Sequence, residues 1–310
     1  MRDKRCKQMV VLIGIALSIL LSSCRVHGRG ELFITDIEIF KDTPAWELAL
    51  AVLKQNVKSI KKIVENEPSL LNYQEPHFGA TLLLWSVGME KYNSAKTLLE
   101  LGADPNIAST YDGTTPLFLA SGFSWVDPAW FSNEDPKYVK LLLQYGADPN
   151  IPYKGHNKPD VGDLIESGTS PLMHSIPASL EKTKALVEGG ADIDYKTPSG
   201  TTAAIVALNF AVPQYAYYLI VECKAKVNEP YYSWLASYFP NASKSALYPV
   251  NLLRHWIFTL GSKKHMLKMQ IVEEFKRQGV DYWSTEIPES RLDQIKKLYP
   301  DTWEEYIQKY

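Results

Sequence analysis

Gly102-Ala103-Asp104-Pro105-Asn106 returns as Gly146-Ala147-Asp148-Pro149-Asn150, and Asp112-Gly113-Thr114-Thr115-Pro116-Leu117 stands between the two copies. Weaker versions of the first phrase follow at Gly190-Ala191-Asp192-Ile193-Asp194 and Gly279-Val280-Asp281-Tyr282, with a degenerate one at Lys224-Ala225-Lys226-Val227-Asn228. The second phrase recurs as Gly168-Thr169-Ser170-Pro171-Leu172, and more loosely at Gly79-Ala80-Thr81-Leu82-Leu83 and Gly200-Thr201-Thr202-Ala203-Ala204. An internal repeat of this length is the mark of a stacked architecture, so it is weighed before any other fold.

Each phrase has a mechanical reading. A Thr or Ser hydroxyl at position 115 or 170 caps a helix N-terminus. The proline after it takes the first helical position, where a missing N–H costs nothing. Gly102 and Gly146 adopt the left-handed conformation that ends a helix, and Asp-Pro-Asn turns the chain outward. The unit is therefore helix, short turn, helix, glycine stop and an extended finger. This pattern resembles the ankyrin repeat, whose signature is Gly-x-Thr-Pro-Leu-His-x-Ala with a later Gly-Ala-Asp. The resemblance implies an all-α solenoid of about six helix-turn-helix units with finger loops and a C-terminal helical cap. The first unit spans roughly Thr43 to Tyr73, and the others begin near Phe78, Tyr111, Ser167, Ser199 and Ala246. The family's His is absent: Leu84, Phe118, Met173 and Ile205 stand in its place. Apolar packing is expected to replace the hydrogen bonds that this His supplies.

The units are uneven. Copies of the glycine phrase at 102, 146 and 190 lie further apart than the roughly 33 residues of an ankyrin repeat, so insertions are expected. One runs from Phe123 to Pro136 with Trp125, Trp130 and Phe131. A second, polar one runs from Ile151 to Glu166. A third runs from Glu229 to Ser245 with Tyr231, Tyr232, Trp234, Tyr238 and Phe239. Beyond Tyr282 the pattern stops, and Leu292, Ile295, Leu298 and Tyr299 share one helical face. That tail reads as the end cap a solenoid needs.

The N-terminus reads as an export signal. Arg2, Lys4, Arg5 and Lys7 precede the uncharged apolar run Met9 to Leu21, then Ser22, Ser23 and Cys24. The run is shorter than the roughly 20 residues of a membrane-spanning helix and matches a secretory signal. Leu21-Ser22-Ser23-Cys24 resembles the bacterial lipobox, which implies cleavage before Cys24 and lipid on that residue; an ordinary signal with an incidental Cys is the bland reading. Cleavage removes four positive charges and one negative, taking the net charge from -2 to -5. The expected organisation is signal peptide 1–23, linker 24–42, repeat domain 43–283 and helical cap 284–310.

Composition narrows the function. With 45% hydrophobic and 22% charged residues, the chain is globular, and its charge offers no basic face for nucleic acid. No His-Glu-x-x-His, Gly-x-Ser-x-Gly or phosphate-binding glycine loop occurs. The three cysteines form no Cys-x-x-Cys metal or redox site. His174, His255 and His265 read as packed or isolated, Cys223 as a small core residue, and Asp104, Asp148 and Asp192 as turn residues. No catalytic residue, metal site or cofactor is expected.

The family resemblance implies a protein partner bound by finger tips and first helices. Carried over by position, the tip candidates are Phe78, Ala80, Tyr111, Asp112, Thr114, Glu166, Ser167, Thr169, Ser199 and Thr201. Tyr231, Tyr232 and Trp234 join them as aromatic anchors, against the alternative that the aromatic insertions only cover neighbouring units. The chain also looks like lipid-anchored ankyrin-repeat immunity proteins that neutralise secreted antibacterial toxins. A second expectation is an accessory envelope factor beside a periplasmic enzyme such as a catalase, and a hydrolase ranks last. Placement in the bacterial cell envelope, at the outer membrane's periplasmic face or the cell surface, goes with the lipid.

Overall fold

The computed structural model describes residues 32–122, 125–126, 135–155, 165–176, 178–233 and 245–310. The export signal, Cys24, Trp130, Phe131, Trp234, Tyr238 and Phe239 lie outside them. Among the described residues the fold is all-α, with extended contacts limited to the isolated bridges Gln74–Thr81 and Tyr231–Leu247. No described helix is long and apolar enough to cross a membrane.

Short helices follow one another in pairs: α1 (Trp46–Leu53) with α2 (Val57–Asn66), α3 (Leu82–Gly88) with α4 (Tyr92–Glu100), and α5 (Pro116–Ser121) with α6 (Lys137–Gln144). Next come α7 (Pro171–His174) with α8 (Leu180–Glu188), then α9 (Ala203–Asn209) with α10 (Pro213–Ala216), which runs on as a π-helical turn, Tyr217–Glu222. First helices pack serially, α1 on α3, α3 on α5, α5 on α7, α7 on α9. Second helices repeat this from α2 through α4 and α6 to α8. Helix α11 (Pro249–Arg254) lies against α9, and α12 (Lys263–Arg277) against α10 and its π-turn. This last pair thus takes both places of a repeat through its predecessor.

The capping logic holds at four starts. Thr81, Thr115, Ser170 and Thr202 are extended, and each hydroxyl accepts from the N–H three residues on, at Leu84, Phe118, Met173 and Ile205. Those are the four residues in the family's His position, and all four are buried. Phe118 shows what replaces that His. Its ring stacks on Tyr153 of the next finger at 5.1 Å and on His174 of the next first helix at 4.2 Å.

Helix ends carry the inter-unit bonds. Asp104, Asp148 and Asp192 each accept from the N–H two residues on, which makes them turn residues. Asn72 then accepts from the Asp104 N–H, Asn106 from Asp148 and Asn150 from Asp192, at 2.7–2.9 Å. Asn106 and Asn150 also donate to the carbonyls of Gly146 and Gly190. Each side chain stitches one turn to the next.

One core cluster runs from Ile39 to Tyr282. It takes in Ile39 and Phe40 of a 3-10 turn, Ile37–Phe40, within the stretch expected to be linker. Trp125 closes the preceding pair: its N–H donates to Gly88 O at 3.2 Å, and a Cβ on Gly88 would lie 2.2 Å from its ring. The tail forms α13 (Glu289–Leu298) and α14 (Trp303–Ile307), with its own small core of Ile295, Tyr306 and Tyr310. Leu298, expected on the buried face, is exposed; Tyr306 and Tyr310 from beyond α13 fill that core instead.

Two glycine classes separate on substitution. Gly146 (φ +85) faces open space, whereas a Cβ on Gly79 (φ +65) would lie 2.1 Å from Thr110 Oγ1. Gly146→Ala should lose about 1 kcal/mol, the left-handed backbone penalty alone. Gly79→Ala should lose at least twice that, read as midpoint shifts in urea titration; equal losses would contradict the close approach of fingers.

Candidate functional site

The fingers are built alike. Glu75, Ser109, Tyr153 and Thr197 each donate a backbone N–H to the carbonyl of Ala80, Thr114, Thr169 and Thr201, closing a turn whose tip glycine has positive φ. Successive tips touch. Tyr111 N–H donates to Phe78 O at 3.1 Å, and the two rings meet edge to face at 5.6 Å. Gly113 abuts the Lys154 stem, and Ser167 Oγ donates to Lys154 O at 2.6 Å. The Glu166 carboxylate accepts from both N–H and Oγ of Ser199, at 3.1 and 3.0 Å. Tyr232 N–H donates to Ser199 O at 2.8 Å. The row is continuous from Phe78 to Tyr232.

The expected contact residues divide by exposure along this row. Tyr111 (48%) and Tyr232 (46%) are the large exposed side chains, and Ser167 is exposed beside them. Phe78, Asp112, Glu166, Thr169, Ser199, Thr201 and Tyr231 are half-buried. Ala80 and Thr114 are buried, Thr114 only 8% exposed, so both serve the turn and not its surface. Asp112 accepts from Thr114 N–H, and Thr169 Oγ1 donates to Glu166 O. Trp234 lies outside the described residues.

First helices offer little. Every residue of α3 and α5 is buried, which moves the accessible part of the expected surface onto the fingers. Sequence reasoning missed two residues that shape it. Glu75 is buried in the first finger, its carboxylate accepting from the N–H of His77, Phe78 and Ala80 at 2.7–2.9 Å. Its sole signal was an acid three residues before a tip. Lys154 links two fingers and sits in an insertion that no repeat phrase aligned.

His174, His255 and His265 each sit in structural hydrogen bonds. His174 Nδ1 lies 2.9 Å from Phe118 O and donates to it, and desolvation lowers the ring to about 4, so it stays neutral. The ring fills the space over Gly122, where a Cβ would lie 2.2 Å away. Lys182, 3% exposed, donates to Gly122 O at 2.8 Å, and burial lowers it to about 8. His255 Nδ1 accepts from Arg291 Nε, and His265 bridges Gly261 N–H and Lys309 O. Burial raises the half-buried Cys223 thiol, the opposite of an activated nucleophile. No cluster of three metal-ligating side chains occurs among the described residues.

Comparison with known proteins agrees with this geometry. The ankyrin repeat family model matches residues 112–154, from the finger tip at Asp112 through α5 and α6 to Lys154. An ankyrin repeat protein of Rickettsia felis is 32% identical over 43% of this chain and 52% of its own length. One of Acanthamoeba polyphaga mimivirus is 29% identical over 33% of this chain and 12% of its own length. The chain thus spans about half, or less, of the curated relatives it matches. Ankyrin-repeat proteins are a structural and interaction family, not a catalytic one.

The neutral His174 sets an acid limit. Its pKa in the fold lies below the 6.5 of a free ring, so the unfolded chain binds the extra proton between about 6.5 and 4, and stability falls with pH across that window. His174→Gln should flatten this part of the profile in thermal melts from pH 7 to 4. An unchanged slope in the variant would show that another group sets it.

Proposed function

We propose that this ankyrin-repeat protein binds another protein along its finger row, from Phe78 to Tyr232, and is held at the bacterial envelope by lipid on Cys24. The observation that carries the binding surface is the unbroken contact of successive tips with Tyr111 and Tyr232 exposed along it. Rigid aromatic side chains supply contact area at low entropic cost, and interface energy concentrates in them. The Phe78 ring packs on the Tyr111 ring and the Ser199 carbonyl holds the Tyr232 backbone, which lowers the order to be gained on binding.

The lipobox carries the anchor. Several acyl chains hold a protein firmly at a bilayer, each buried methylene adding about 0.8 kcal/mol. In this reading the partner is a secreted antibacterial toxin and the chain an immunity protein, placed by its lipid where a membrane-attacking enzyme arrives.

Two measurements test the parts separately. Cys24→Ser should move the protein from the membrane fraction to the soluble one and abolish labelling by a clickable palmitate; retention with unchanged labelling would rule out lipid at Cys24. Tyr111→Ala with Tyr232→Ala should weaken capture of the product of a neighbouring toxin-like gene by at least about tenfold, with an unchanged melting temperature. Equal capture by the double variant would refute the finger row, and recovery of a stoichiometric envelope enzyme instead would favour the accessory role.

A further inference from the structure

Among the described residues the underside of the C-terminal cap holds two buried cations and no acidic side chain beside them. Arg254, at the end of α11, is 3% exposed, and Lys268, in α12, is 0% exposed. Lys268 Nζ donates to Trp256 O at 2.8 Å and Arg254 Nη2 to Trp283 O at 3.2 Å. The buried Nε and Nη1 of Arg254 have no hydrogen-bond partner among the described residues. Aromatic rings take the place of a counter-ion. The guanidinium lies 3.9 Å from the Tyr282 ring centre, and the Lys268 nitrogen 4.1 Å from that of Tyr310.

The same rings dock the tail. Tyr310 Oη donates to Arg254 O at 3.3 Å, and Tyr282 Oη to Tyr310 O at 3.0 Å. Tyr306 Oη donates to Phe258 O at 2.6 Å. The titratable groups gathered here are Arg254 and His255 from α11, Arg291 from α13, Tyr282 from the segment after α12, and Tyr306 and Tyr310 from the tail. No side chain among them is a carboxylate; Asp281 beside Tyr282 is exposed and accepts from the Trp283 N–H, and the main-chain carboxyl of Tyr310 accepts from Tyr282 Oη. On α12 itself, Glu274 is committed to Lys224, Arg277 and Gln278, and His265 binds Lys309 O.

Two like charges in one dry cage are costly, and cation–π attraction offsets only part of that cost. Arginine keeps its proton in proteins, so the lysine has to yield. We propose that residues 289–310 form an acid-loosened latch: the tail closes over Lys268 as a neutral amine, and protonation of that amine beside Arg254 drives the tail off. Opening uncovers the aromatic face of Tyr282 at the end of the solenoid, a surface that exists only in acid.

The sign follows from linkage. Burial and the Arg254 charge lower Lys268 to about 6, whereas an exposed lysine titrates at its ordinary 10.5. Between these values the open form binds the extra proton. The ratio of closed to open therefore falls by up to about tenfold for each unit of acidification until pH about 6, and is level below.

Hydrogen exchange of the tail amides in the full chain, corrected for intrinsic rates, reads this ratio. From pH 8.5 to 6 the opening constant of residues 289–310 should rise about 100-fold or more, at up to about tenfold per unit, while α3 and α5 change little. Lys268→Met keeps the stem and should abolish the rise. Arg254→Met keeps the lysine but removes its like-charged neighbour, and should shift the level region to higher pH even if the Lys268 variant frays. A pH-independent wild type, the same rise in Lys268→Met, or an unshifted level region in Arg254→Met would overturn the proposal.

Discussion

No helix pair here can stand alone, and that dependence organises the molecule. Helix α7 has four residues and α5 has six, well under the roughly 12–15 at which an isolated helix becomes even marginal in water. Their stability comes from neighbours on both sides. This is why α3 and α5 are almost wholly apolar and buried on every face, with Ser86 and Ser121 bonding carbonyls of their own helices, and why a single core cluster runs through most of the described chain. Apolar stacking supplies attraction without direction. Register comes from the Asn72, Asn106 and Asn150 side chains, each bound to the next turn.

The surface follows from the same economy of space. First helices α3 and α5, spent wholly on the core, have nothing left to show a partner, so recognition at those units falls to the tips, whose backbone geometry is fixed by their own hydrogen bonds. A tip glycine serves two ends at once. Gly79 adopts positive φ and also lets the Thr110 side chain approach to a distance no Cβ would tolerate. The finger row is in this way continuous with the scaffold, and Tyr111 and Tyr232 inherit its rigidity.

Most of the fold was legible because local chemistry and global pattern agree at each unit. The caps at Thr81, Thr115, Ser170 and Thr202 and the stops at Gly102, Gly146, Gly190 and Gly279 are readable one phrase at a time. The candidate site was legible in outline and not in detail. A positional rule puts Thr114 and Tyr111 on the same tip, but only packing buries one and exposes the other. Lys154 and the Arg254 and Lys268 pair left no signal and Glu75 only a faint one, since each owes its role to partners outside its own phrase: Gly113 for Lys154, the turn at His77 and Phe78 for Glu75, and the Tyr282 and Tyr310 rings for the two cations. Leu298 was misplaced for a related reason: a helical face says which side is apolar, and Tyr306 and Tyr310 arriving from elsewhere decide how much of it is covered.

The degenerate phrase at Lys224 shows how the stack absorbs an error. In three units the alanine after the stop glycine bonds the carbonyl five residues back: Ala103 to Leu98, Ala147 to Leu142, Ala191 to Leu186. Ala225 reaches Leu219 instead, one residue further. The π-turn at Tyr217–Glu222 holds that extra residue, and the wider coil keeps Ala225 buried as its counterparts are. Lys224 then occupies the glycine's place at φ +63, a conformation that costs an L-residue about 1–2 kcal/mol. Its ammonium meets Glu274, whose carboxyl is held down to about 2 chiefly by Arg277, with Lys224 adding to it. That link ties the strained stop to α12, the helix on which the Lys268 latch is built, so the irregular end of the solenoid is fastened on one side by an ion pair and on the other by a titratable amine under aromatic rings.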